Sequence, residues 1–364
     1  MQIERVAILG INLHSTHIAE CIANIGIPVV MYCINSQDML CLNVVNDVNS
    51  LIQISNLESG IDSLKFADLI IDSMANNLDD KCQLYHQIIN YINVNAIISL
   101  NSSIISLNAL CDRLPSKVSH KLIIAHFSYI FKNSDLLECV IHSGNTNDML
   151  TVFHEFCEIK LNKKVIICAD IAGLLINRIG YFWIINFLIN SYNFKIDIDI
   201  VDSLINEHIC NSRLGIFRLL DSIGLDIFIS ELNKLIVNIA KDDLLFLAYN
   251  QIPKVIFQMI ADKVTGCHSI LGGFYRKYDT YHGSVNQMLD LSTGLYKSEN
   301  SHIYDLDNID KYKSFIYSTL SSVSAYITYI AEITGSDILT IDNIVKSSHE
   351  LKYELSKIIN KFNI

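Results

Sequence analysis

Val6-Ala7-Ile8-Leu9-Gly10-Ile11-Asn12-Leu13-His14-Ser15 carries an apolar run into a glycine and then into small and apolar residues of helical period over 16–24, with a second apolar run at 28–32. Strand, glycine turn, helix and second strand form the βαβ unit whose helix N-terminus receives a pyrophosphate. Of the expected G-x-G-x-x-G pattern only Gly10 is kept, with Asn12 and Ser15 at the other two glycine positions. Asn tolerates positive φ better than other non-glycine residues, so Asn12 is the milder change. The end of the second strand should offer an acid to the ribose hydroxyls, and Cys33 stands there. Losing that pair of charge-assisted hydrogen bonds weakens a dinucleotide about 10- to 100-fold. No Arg follows to take a 2′-phosphate, so the change is not a switch to NADP.

Outward from this unit, apolar runs at 69–72, 96–100, 121–127, 137–142 and 164–168 predict strands, and helical periods at 81–92 and 149–161 predict helices. That is the pattern of a parallel sheet wrapped by helices. From Gly173 onward long helices take over, with little strand signal. The expected division is 1–172 for dinucleotide binding and 173–278 for a helical domain, followed by 279–364. This last part starts with a Tyr- and Asp-rich connector and continues in two helices, 314–334 and 342–360. The most membrane-like run, 171–189, carries Asn177, Arg178 and Asn186, whose cost in hydrocarbon predicts a buried helix and no membrane span.

Composition narrows the function classes. The 364 residues carry 27 Lys and Arg against 38 Asp and Glu, a net charge of −11, which argues against a nucleic-acid partner held by its phosphates. Hydrophobic residues make up 51% and charged ones 18%, a balance that excludes disorder. Ten Cys without C-x-x-C or metal-ligand spacing predict reduced thiols, a cytoplasmic protein and no metal. The N-terminus runs directly into a strand, so no export leader is expected.

Several further stretches resemble the 3-hydroxyacyl-CoA dehydrogenases of fatty-acid β-oxidation. Ala67-Asp68-Leu69-Ile70-Ile71-Asp72 is similar to that family's A-D-L-V-I-E strand, and Asn76-Asn77-Leu78-Asp79-Asp80-Lys81 to its E-[DN]-L-x-x-K. Leu100-Asn101-Ser102-Ser103 resembles S/T-N-T-S, Ala125-His126-Phe127-Ser128-Tyr129 resembles H-F-F-N-P without its Asn-Pro, and Leu136-Leu137-Glu138-Cys139-Val140 resembles K-L-V-E-V. Asp170-Ile171-Ala172-Gly173-Leu174-Leu175-Ile176-Asn177-Arg178 is similar to D-x-P-G-F-x-x-N-R. Leu214 to Asp226 resembles M-G-P-F-x-L-x-D-x-x-G-L-D, and Gly272-Gly273-Phe274-Tyr275 resembles G-x-G-F-Y. The last helices resemble the start of a second helical copy, as in the long enzymes that also carry an enoyl-CoA hydratase.

The resemblance implies a fold: an α/β Rossmann-type N-terminal domain, then an all-α C-terminal domain with a partial second helical repeat. It implies NAD as cofactor, held by Gly10, Asn12, Leu13, Cys33, Asn76, Lys81 and Asn101, and an acyl-CoA substrate. It further implies a homodimer and leaves open whether a separate polypeptide supplies the hydratase. His126 would be the base for the hydroxyl proton, Glu138 the carboxylate that orients it, and Ser103 and Asn177 would hold the reacting oxygens in a cleft between domains. Alone, a histidine on an apolar strand is as well explained as a core residue; its joint spacing with the other three points to the site. His14 and His17 are expected on the helix surface, and Cys33 as a buried thiol. The competing reading is a non-catalytic homologue, a pseudoenzyme or scaffold subunit, because Asn12, Ser15, Cys33 and Asn76 all erode the nucleotide half.

Overall fold

A computed structural model describes residues 2–34, 50–74, 77–127, 135–211, 214–280, 283–299 and 309–361. Two compact units emerge, Met1–Leu174 and Leu175–Ile364. The expected cofactor residue Asn76, together with Ser128 and Tyr129, lies outside the described residues.

The first unit is built on an eight-stranded sheet among the described residues, in the order β3-β2-β1-β4-β5-β6-β7-β8. Its strands are β1 Val6–Leu9, β2 Val29–Cys33, β3 Ile52–Asn56, β4 Leu69–Asp72, β5 Ile97–Leu100, β6 Leu122–His126, β7 Leu136–Val140 and β8 Lys164–Ile167. All pair in parallel except β7, which runs antiparallel to β6. The inner strands read VAIL, LIID, IISL and LIIAH and are buried throughout. Continuous β-branched and leucine runs of this kind are what a sheet covered on both faces requires. The edges β3 and β8 are half-exposed, and β3 alternates Ile52, Gln53, Ile54, Ser55. That polar alternation explains why β3 was absent from the expected strands. Helices α1 Leu13–Asn24, α2 Leu78–Ile88, the short α3 Leu107–Cys111 and α4 Asn147–Glu155 connect the strands.

In the second unit, α5 Ile176–Phe194 is buried without a break from Ile176 to Ser191. Its polar residues are satisfied where they lie: Asn186 Nδ2 donates to the Phe182 carbonyl at 2.8 Å, and Asn190 Nδ2 donates to Thr319 at 3.0 Å. The helix is thus a core element, and no described helix is long and apolar enough to cross a membrane. Next come α6 Ile198–Leu204, α7 Ile216–Ile223, α8 Leu225–Ile236, α9 Leu244–Tyr249 and α10 Lys254–Ala261. Two buried carboxylates explain the glycine landmarks here. Asp202 accepts from the Phe217 and Arg218 amides at 2.9 and 3.1 Å, covering the start of α7 where a side chain at Gly215 would collide with it. Asp221 accepts from the Phe274 and Tyr275 amides at 2.7 and 2.8 Å, and excludes a side chain at Gly273.

The Tyr-rich connector holds an antiparallel meander, β9 Tyr275–Thr280, β10 Gly283–Leu289 and β11 Tyr296–Ser298. Guanidinium groups brace it: Arg218 lies 3.9 Å from the Tyr275 ring centre and Arg276 lies 3.5 Å from that of Tyr296. Polarity hid these strands, because their stabilising partners come from elsewhere in the chain. Helix α11 Lys313–Thr334 then packs along α5, with Tyr326 stacked on Phe182 at 4.2 Å. The stretch expected as one helix over 342–360 is two, α12 Ile338–Ser348 and α13 Leu355–Lys361, broken where Glu350 takes a φ of 52° and Leu351 bridges to Cys210.

Candidate active site

The first candidate group sits at the β6–β7 pair. His126 ends β6, and the antiparallel register places it directly opposite Glu138. Directly opposed residues project from the same sheet face. The result is an imidazole 7% exposed whose Nδ1 lies 3.6 Å from Oε2 of a carboxylate 1% exposed. Among the described residues His126 Nδ1 has no hydrogen-bond partner closer than this. Behind Glu138, the Cys168 thiol donates to Oε1 at 3.9 Å; burial, and next the Glu138 charge, push that thiol's pKa well up and keep it protonated.

Asn101, at the end of β5, joins this corner to the rest of the edge. Its Oδ1 accepts from the Phe127 amide at 3.0 Å, one residue past His126, while Nδ2 lies 3.2 Å from Ser73 Oγ and 3.5 Å from His14 Nδ1. His14, expected on the surface, is therefore half-buried within the site. Burial, and next the nearby His126 and His17, pull its pKa down to about 4, against a bond to the Phe127 backbone that raises it. No spacing rule singled His14 out: it occupies a free position of the glycine pattern, and only the fold carries α1 toward β5 and β6.

Ser103 lies in the loop after β5, which the segment 170–173 ties down. Gly173 donates its amide to the Ser103 carbonyl, and the Asp170 carboxylate accepts from Ser106 Oγ at 2.8 Å and the Leu107 and Asn108 amides at 3.0 and 2.8 Å. Asp170 is thus a structural anchor of the Ser103 loop. Asn177 belongs to the other unit, in the first turn of α5, and is buried. Its neighbour Arg178 is paired with Asp243 and donates to Tyr326 Oη at 3.0 Å.

The candidate nucleotide edge lies where the strand order reverses between β1 and β4, the usual place for a ligand in an open parallel sheet. Gly10 has a φ of 89°, and a Cβ there would stand 2.9 Å from Met74 Cγ, so the turn needs glycine. Leu13 opens α1, with Asn12 as its N-cap. Cys33 is buried at the end of β2 and offers no carboxylate. Lys81 is fully buried: Nζ donates to Asp72 Oδ1 at 2.5 Å and to the Met74 carbonyl at 3.0 Å, and Tyr85 Oη donates to Asp72 Oδ2 at 2.8 Å. The turn and helix end that hold a pyrophosphate are present, so a dinucleotide fits this edge in outline. None of the described cysteines forms a disulfide, and no described group of side chains has the makings of a metal site.

Comparison with known proteins agrees with this geometry. Residues 5–171 match the family model described as 3-hydroxyacyl-CoA dehydrogenase, NAD binding domain. A Rickettsia felis protein described as a fatty acid oxidation complex trifunctional enzyme is 26% identical over 97% of this chain and 52% of its own length. The chain thus spans about half the length of that relative. A Deinococcus radiodurans protein named as a 3-hydroxyacyl-CoA dehydrogenase is 28% identical over 76% of this chain and 84% of its own. In fold, the chain is similar to Escherichia coli 3-hydroxybutyryl-CoA dehydrogenase, with a TM-score of 0.69 at 15% identity over 99% of this chain and 92% of that one. It is likewise similar to the dehydrogenase part of multifunctional enzyme 1 from C. elegans, with a TM-score of 0.67 at 17% identity over 99% and 84%. Its sheet order, its strand-end motifs and these matches together support the 3-hydroxyacyl-CoA dehydrogenase family, whose NAD-binding domain model is matched over residues 5–171.

Proposed function

We infer that the chain oxidises a 3-hydroxyacyl-CoA to the 3-oxoacyl thioester in fatty-acid oxidation, with NAD as hydride acceptor. The observation that carries this reading is the buried His126–Glu138 pair at 3.6 Å. With Nδ1 facing the carboxylate, the imidazole keeps Nε2 for the substrate hydroxyl, whose proton it takes as the hydride leaves. Glu138 holds the ring's orientation and offsets the charge that forms on it. Ser103 and Asn177 are assigned to the substrate oxygens on the resemblance. The backbone at Gly10, Asn12 and Leu13, with Asn101, would hold the dinucleotide; bound there, it would supply the oxidising power. Lys81 would act by fixing the end of β4 through Asp72. A second copy of the chain and a hydratase on another polypeptide complete the reading.

The test is reduction of acetoacetyl-CoA by the purified protein, followed as loss of NADH fluorescence. Turnover that His126→Ala removes is the expected result, and a turnover rate indifferent to that substitution refutes the assignment. A specific observation supports the non-catalytic alternative: the helix end at Asn12 is capped from within and Cys33 brings no acid to the ribose. Failure of NADH to saturate the protein at millimolar concentration would select it.

A further inference from the structure

The start of α1 is closed by its own residues. Asn12 Oδ1 accepts from the Ser15 amide at 2.9 Å, and Ser15 Oγ accepts from the Asn12 amide at 2.8 Å, a reciprocal capping box. Ser15 Oγ donates back to the Asn12 carbonyl at 3.0 Å, and Ser15 is fully buried. The Asn12 carboxamide is held at its other end as well: Nδ2 donates to the Ser73 carbonyl at 2.9 Å, just past β4. Its two polar atoms therefore bond to both sides of the point where the strand order reverses between β1 and β4.

The first N–H groups of a helix have no partner within the helix, and this is what makes a helix end attractive to an anion. A glycine at position 12 would leave that end open. Here a neutral amide oxygen accepts from one of the amides that an incoming phosphate oxygen would use. We propose that Asn12 and Ser15 form a latch across the pyrophosphate position, and that dinucleotide binding requires the Asn12 side chain to let go of Ser15 and Ser73. Asn12 is then the residue that sets affinity for the diphosphate part of the cofactor. The proposal rests on reading this edge as a dinucleotide site and names the residue that limits it.

The latch predicts a gain of binding from removing a side chain. Replacing an Asn cap costs a helix about 0.5–2 kcal/mol, which corresponds to roughly 2- to 30-fold in binding when the same bonds must be broken first. NADH, ADP-ribose and adenosine are titrated by calorimetry into wild type, Asn12→Gly, Asn12→Ala and Ser15→Ala, each checked for native circular dichroism. Expected is about 10-fold tighter NADH and ADP-ribose binding in Asn12→Gly, a smaller gain in Ser15→Ala, and no change for adenosine, which lacks the diphosphate. The proposal is overturned if both Asn12 variants bind NADH at or below wild-type affinity, if adenosine gains equally, or if no variant binds at all. Its failure is separate from that of the dehydrogenase reading. An Asn12→Gly protein that binds NADH without turnover keeps the latch and removes the enzyme; His126-dependent turnover with unchanged affinity does the reverse.

Discussion

At the β6–β7 corner, His126 Nδ1 lies buried and 3.6 Å from Glu138 Oε2 without a hydrogen bond among the described residues, whereas at the β1–α1 corner Asn12 and Ser15 bond each other and Asn12 also bonds Ser73. Both corners belong to one sheet, yet one leaves a buried polar atom unsatisfied and the other closes itself. A buried donor or acceptor left without a partner costs about 1–3 kcal/mol, and the β6–β7 corner carries that cost at the ring nitrogen that faces Glu138. A closed hydrogen-bond network adds rigidity and has to be opened before a ligand enters. On the proposed reading, the difference separates substrate chemistry at the His126 corner from stability at the Asn12 corner.

Four changes break or sharpen that contrast. The largest effect is expected at Lys81, whose ammonium and the Asp72 carboxylate are both fully buried. Lys81→Met strands that carboxylate and should cost about 3–5 kcal/mol in urea unfolding. A stability loss below about 1 kcal/mol would leave Lys81 free for a direct role with the cofactor, contrary to its place here. At the opposite corner, His126→Ala should lower kcat for acetoacetyl-CoA reduction about 100-fold or more while NADH affinity holds, since the imidazole serves the proton and not the dinucleotide. Glu138→Gln should lower kcat for the same reaction by about 10-fold or more with little change in NADH affinity, because a neutral amide no longer supports the imidazolium. A drop in thermal stability with an unchanged kcat would reduce Glu138 to packing.

The smallest effect concerns His14, between the two corners. Its pKa in the fold, about 4, is below the ordinary 6.5, so between those values the unfolded chain binds a proton that the folded chain refuses. Stability from this group is complete above about pH 6.5 and is lost as pH falls toward 4. Asp199, Asp202 and Asp221, raised to about 6, 7 and 6 by burial, act in the opposite sense over part of the same window. The measurement is therefore a difference: His14→Leu should lose less stability than wild type between pH 6.5 and 4, and parallel curves would refute it.

Much of the sheet was legible because its inner strands are continuous apolar runs, a pattern that has few other uses. The edge strand β3 and the meander β9–β11 were not, since their polar residues are supported by neighbours distant in sequence, as Arg218 supports Tyr275. For the candidate site, His126, Glu138 and Ser103 are named from residue type and spacing, and the structure adds how they are held: the β6–β7 register for the pair, and Asp170 and Gly173 for the Ser103 loop. His14 had no signal of its own, because its partner Asn101 is 87 residues away.

By itself the sequence determined the family resemblance, the βαβ start, and which side chains are available for acid–base chemistry, since periodicity and residue type are local properties. Only the tertiary structure decided that Lys81 is locked onto Asp72, that Asn12 closes the helix end, and that His14 joins the site. Each of these depends on which hydrogen-bonding groups meet when strands far apart in the chain end side by side, and a buried polar atom takes whatever partner the fold brings within reach.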